Sequence, residues 1–129
     1  MPKHRILVID DEVTFASLLK LNLELLGEYE VCTESHGARG LEVARRFHPD
    51  LVLLDVIMPD MSGTDVAQQL RADEEVHDVP IVFLTAAVSR AEAAASRPAD
   101  GTVTMAKPVT MQELLACIRR RLSREAEDE

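Results

Sequence analysis

Leu51-Val52-Leu53-Leu54-Asp55 sets four consecutive apolar residues directly before an acid, and its reading decides the fold. A strand with one wet face alternates apolar and polar residues. A run as apolar as this is expected where helices cover both faces of a strand, as in a parallel sheet. Ile81-Val82-Phe83-Leu84 ahead of Thr85 repeats the pattern, and Ile6-Leu7-Val8-Ile9 ahead of Asp10 repeats it again. The strand candidates along the chain are residues 5–9, 29–33, 51–54, 81–84 and 103–106.

Between these runs apolar residues return every three or four positions, which is the helical period. Helices are expected over residues 14–26, 38–47, 64–72, 89–96 and 111–122. Gly27 follows the first as a left-handed stop, Ser62 with Asp65 opens the third, and Thr110 with Glu113 forms a capping box for the fifth. Met111, Leu114, Leu115, Ile118 and Leu122 share one face of the fifth helix. On the first, Phe15, Leu19, Leu23 and Leu26 mark the inward face, with Leu21 well off it as either an ordinary exposed leucine or a docking patch. The fourth helix, mostly alanine as far as Pro98, has little large apolar surface to anchor it. Five β/α units with right-handed crossovers give a doubly wound α/β sheet with helices on both faces, whose ligand crevice lies at the carboxyl ends of the strands.

The 129 residues suit one domain, read as 4–123 followed by a frayed acidic tail at 124–129, and 47% hydrophobic content is ample for a core. Fourteen Lys and Arg against 23 Asp and Glu give a net charge of −9, which argues against direct nucleic-acid binding by counterion release. The apolar runs fall far short of the roughly 20 residues of a membrane span. The basic start, Met1-Pro2-Lys3-His4-Arg5, leads into too short an apolar stretch for a signal peptide, so no membrane contact and a cytoplasmic location are expected. Cys32 and Cys117 have no zinc or redox spacing and read as buried small hydrophobes, and His4, His36, His48 and His77 read as surface residues.

The chemistry concentrates where strands end. Asp10 and Asp11 follow the first strand, Asp55 the third, Thr85 the fourth and Lys107 the fifth. Each alone is ordinary in a βα turn, where Asp and Thr cap the next helix. Three carboxylates, a hydroxyl and an ammonium on one rim are harder to assign to capping. Packed carboxylates repel, and Mg²⁺, with its all-oxygen octahedral preference and room for a phosphate oxygen, relieves that repulsion. Asp11, Asp55 and the backbone carbonyl of Ile57 would supply ligands. A carboxylate can also attack phosphorus to form an acyl phosphate, with Lys107 and Thr85 pairing the phosphoryl oxygens.

Val8-Ile9-Asp10-Asp11-Glu12, Leu53-Leu54-Asp55-Val56-Ile57-Met58-Pro59-Asp60-Met61-Ser62-Gly63, Leu84-Thr85-Ala86 and Lys107-Pro108 together resemble the receiver domain of two-component response regulators, over about residues 4–122. The resemblance implies a flavodoxin-like five-stranded sheet in the order 2-1-3-4-5. It implies that Asp55 accepts a phosphoryl group from a histidine kinase or histidine phosphotransfer protein and so changes affinity for a downstream protein. It further implies that Asp10 and Asp11 surround Mg²⁺, that Thr85 is the switch hydroxyl and Lys107 the phosphate-pairing lysine, and that the Lys107–Pro108 bond is cis. Ala86 matches the small residue that leaves the phosphoryl pocket open.

Thr104 departs from that pattern, standing where the family usually has Tyr or Phe, and Arg97-Pro98-Ala99-Asp100-Gly101 replaces a common Gly-Ala-Asp-Asp run. Phosphotransfer and output are therefore separate expectations, the second altered or absent. Ile57 and Ala87, apolar where a polar side chain could hold an attacking water, imply a long-lived acyl phosphate. Arg119-Arg120-Arg121 reads either as a solvated face or as ion pairs to acids such as Asp100 in a homodimer through the fourth helix, fifth strand and fifth helix. Two other functions compete. An aspartyl phosphohydrolase is disfavoured by Ile57 where such enzymes place a second Asp. A phosphorylation-independent receiver-like binding module is supported by Thr104 and the irregular fourth unit. No P-loop motif is present, and one Tyr, three Phe and no Trp give little support to flavin stacking.

Overall fold

Five parallel strands, β1 (His4–Ile9), β2 (Tyr29–Glu34), β3 (Leu51–Asp55), β4 (Ile81–Thr85) and β5 (Val103–Ala106), lie in the order β2-β1-β3-β4-β5. This is the expected sheet. It comes from a computed structural model that describes residues 2–86, 89, 92 and 102–127. The helices are α1 (Val13–Leu25), α2 (Gly40–Phe47) after a 3₁₀ turn at Gly37–Arg39, α3 (Gly63–Arg71) and α4 (Met111–Glu127). The helix expected over 89–96 falls outside the described residues save Ser89 and Glu92, and so does the fourth-helix part of the face expected for a homodimer.

The apolar strands are apolar because alternate residues feed two cores. Ile6, Val8, Leu51, Leu53, Val82 and Leu84 face one side, packed with Leu19 and Leu23 of α1 and Leu114, Ile118 and Leu122 of α4. Leu7, Ile9, Val52, Leu54 and Ile81 face the other, against Val43, Ala44, Val66 and Leu70 of α2 and α3. Register then aligns the strand ends: Ile9 pairs with Leu54, Asp55 with Leu84 and Thr85 with Ala106. Asp10, Asp55, Thr85 and Lys107 therefore reach the same edge of the sheet.

The expected end signals are present. Asp65 N–H donates to Ser62 Oγ (3.2 Å), Glu113 N–H donates to Thr110 Oγ1 (3.0 Å), and Gly27 has φ +82°. Three details differ from expectation. Leu26 is exposed, because α1 ends at Leu25 and the turn through Gly27 carries the chain off the helix axis. Cys32 is only half-buried, since β2 is an edge strand, whereas Cys117 is buried as expected. The last helix runs to Glu127, five residues past its expected end, because 123–127 contain no helix-breaking residue. All four histidines are exposed.

Candidate functional site

The β1–α1 turn supplies the acidic residues. Asp10 is buried and its Oδ1 accepts from Glu12 N–H at 2.9 Å, which turns the chain into α1, while Asp11 is exposed at the rim. Asp55, buried at the end of β3, brings a third carboxylate. One oxygen from each of Asp10, Asp11 and Asp55 lies within 4.8 Å of the others. This set contains only hard oxygen donors and carries three formal negative charges, so it fits a hard dication such as Mg²⁺ rather than a thiolate- or imidazole-seeking metal.

The turn after β3 is folded back tightly. Gly63 N–H donates to Val56 O at 2.7 Å, and a Cβ at Gly63 would stand 2.2 Å from the carbonyl oxygen of Asp55. Only glycine admits that approach. Ile57 N–H donates a long bond of 3.4 Å to Asp55 Oδ1, and the Ile57 side chain is 62% exposed while Met58 turns into the core. Asp60 ties the same loop to the turn before α2 by accepting from Gly37 N–H (3.3 Å) and Ala38 N–H (3.0 Å).

Thr85, buried at the end of β4, accepts through its carbonyl from Lys107 N–H at 2.9 Å, and the Lys107–Pro108 bond is cis as expected. The Lys107 ammonium lies 2.8 Å from Asp10 Oδ2, 2.8 Å from Glu12 Oε1 and 3.9 Å from Asp55 Oδ2, and 4.4 Å above the centre of the Phe15 ring. Burial works against its charge, but the hydrogen bonds to Asp10 and Glu12 more than offset this and hold its pKa above the ordinary lysine value. Asp55 shifts in the proton-binding direction. Burial raises its pKa to about 6, Lys107 opposes the rise and the charge of Asp10 adds to it.

The structure thus brings Asp10, Asp11, Asp55 and Lys107 together, with Thr85 joined to Lys107 through the backbone and Ile57 N–H beside Asp55; Ala87 lies outside the described residues. Glu12 and Phe15 were not foreseen as neighbours of Lys107. Their spacing, immediately after the Asp pair and one helical turn on, puts both near the strand end but does not fix where their side chains point.

The model of the response regulator receiver domain matches residues 6–119, and the chain belongs to that family. Among solved structures it is similar to a response regulator receiver domain protein (CheY-like) from Methanospirillum hungatei JF-1, with TM-score 0.86 and 26% identity over 99% of this chain and 100% of that one. It is also similar to the receiver domain of sensor histidine kinase PA1611 from Pseudomonas aeruginosa PAO1, described with a magnesium ion coordinated in the active site cleft, with TM-score 0.79 and 25% identity over 95% of this chain and 99% of that one. A curated relative, the DNA-binding dual master transcriptional regulator RpaA of Synechocystis sp., is 35% identical over 93% of this chain and 49% of that protein. The chain spans about half the length of the curated relatives it matches.

Those relatives overturn one expectation. The exclusion of a direct nucleic-acid partner does not stand, because proteins matched over nearly this whole chain include one named as DNA-binding. The net charge of −9 is a sum over 129 residues and does not bear on what the other half of such a protein touches. Among the described residues no helix is long and apolar enough to cross a membrane.

Proposed function

We propose that this receiver domain accepts a phosphoryl group on Asp55 from a phosphohistidine of a histidine kinase or phosphotransfer protein, in a Mg²⁺-dependent phosphorelay that changes its affinity for a downstream protein. The supporting observation is the convergence of the Asp10, Asp11 and Asp55 oxygens within 4.8 Å, with the Lys107 ammonium 3.9 Å from Asp55. Asp10, Asp11, Asp55 and the backbone carbonyl of Ile57 would hold Mg²⁺, which when bound neutralises charge on the phosphoryl oxygens. An Asp55 oxygen forms the new O–P bond as the P–N bond to the donor histidine breaks, and the histidine regains a proton. Its pKa of about 6 leaves Asp55 mostly ionised at neutral pH, as a nucleophile must be. Lys107 pairs with a phosphoryl oxygen and Thr85 donates its hydroxyl to another. The exposed Ile57 side chain offers no hydrogen bond to an attacking water, which favours a long-lived acyl phosphate.

Incubation with acetyl phosphate and Mg²⁺, read by intact mass, tests this reading. A gain of about 80 Da, absent in Asp55→Ala and absent in EDTA, is the expected result. No gain from acetyl phosphate or from a phosphorylated histidine donor would leave the phosphorylation-independent binding module as the better account.

A further inference from the structure

We infer that Glu12 is a positioning residue that parks Lys107 in the unphosphorylated domain and is the contact released when a phosphoryl group arrives; this rests on Asp55 being the acceptor. An ammonium has three N–H groups. Two point to Asp10 Oδ2 and Glu12 Oε1, each at 2.8 Å, and the Phe15 ring lies alongside with its centre 4.4 Å away. All three partners belong to the β1–α1 segment. Asp55 Oδ2, at 3.9 Å, is beyond hydrogen-bond reach. Lys107 is therefore close to the acceptor but committed to other groups.

The contacts are not equally easy to give up. Asp10, with its side chain 2% exposed and its other oxygen taken by Glu12 N–H, cannot exchange Lys107 for bulk water. Glu12, with its side chain 62% exposed, is rehydrated as soon as it is freed. A phosphoryl oxygen on Asp55 would thus draw the ammonium from Glu12 while the Asp10 bond persists. Glu12 also places an exposed carboxylate 2.8 Å from the Lys107 ammonium, where its charge opposes an anionic donor. Both effects retard transfer, so removing the charge accelerates it.

Glu12→Gln keeps the length and an oxygen acceptor while removing the charge. Lysines occur only at 3, 20 and 107, so amidination of the metal-free protein with methyl acetimidate, quantified by peptide mass, reports Lys107 against two internal references. The expected result is an approximately three-fold faster modification of Lys107 in Glu12→Gln, with Lys3 and Lys20 unchanged. At saturating Mg²⁺, found for each protein by calorimetric titration, the initial rate of phosphorylation by acetyl phosphate is expected to rise about three-fold as well. Unchanged modification of Lys107 overturns the parking contact. A phosphorylation rate equal to or below that of the wild type overturns its release. If the wild type itself gains no mass, the acceptor reading falls and the release step falls with it, while the modification rates still decide whether Glu12 holds Lys107.

Discussion

In metal-free protein, Asp55→Asn is expected to stabilise the fold by an amount that grows with pH. The Asp55 carboxyl is raised from 3.8 to about 6, chiefly by burial. Roughly two pKa units at about 1.4 kcal/mol each correspond to about 3 kcal/mol. The sign follows from the folded state holding the proton more tightly than the unfolded one. The stability that Asp55 contributes is fully present below about pH 4, is lost as pH rises to about 6 and stays lost above it. Wild type therefore bears the full cost at pH 8 and about half of it at pH 5, whereas asparagine bears none at either. The difference between variant and wild type should be about 1.5 kcal/mol larger at pH 8 than at pH 5. The contact with Ile57 N–H favours the ionised carboxylate and is already contained in the value of about 6. Urea unfolding of both proteins in EDTA measures the difference. Equal differences at the two pH values, or a larger one at pH 5, would refute the burial account. Adding Mg²⁺ at pH 8 should stabilise the wild type more than the variant, because Asp55 is one of the carboxylates proposed to hold the ion.

Gly63→Ala should cost about 3 kcal/mol or more in urea unfolding and slow phosphorylation, since its Cβ would meet the Asp55 carbonyl oxygen at 2.2 Å and a backbone atom cannot rotate away. Leu53→Ala should cost about 2–5 kcal/mol in the same assay, because Leu53 is fully buried between β3 and the α1–α4 layer. Thr110→Ala removes the acceptor for Glu113 N–H and should lower stability by about 1 kcal/mol; serine in its place should restore most of the loss.

The fold was legible because two-sided burial leaves an unmistakable mark. Leu51 through Leu54 can be uniformly apolar only if alternate side chains enter two different cores, as Leu53 and Leu54 do. The sheet order was not readable from that mark, since any arrangement with β1, β3 and β4 inside the sheet would require the same apolarity; it came from the family resemblance. The site was legible for a related reason. In a parallel sheet all strands end on the same side, so acids written immediately after apolar runs must converge. Glu12 and Phe15 escaped because their contact with Lys107 depends on where a side chain of the β1–α1 turn and one of the first turn of α1 point across the gap to the end of β5, which spacing does not specify. Leu26 escaped because the helical period carries no information about which turn is the last.

Net charge misled because it is not local. Carboxylates at the strand ends act over a few ångströms on one another and on Lys107, so their positions in sequence constrain the chemistry directly. A sum of −9 over the chain constrains no particular surface. The same distinction separates the acceptor from its output. Thr104 lies within β5, half-buried and in register with Phe83, while Lys107 lies beyond the strand end, past Ala106, whose register partner is Thr85. The contacts that hold Lys107 at the site run to Asp10, Glu12 and Phe15 on the β1–α1 segment. For the proposed phosphoacceptor, a departure at 104 bears on how the phosphorylated state would be read rather than on whether it would form.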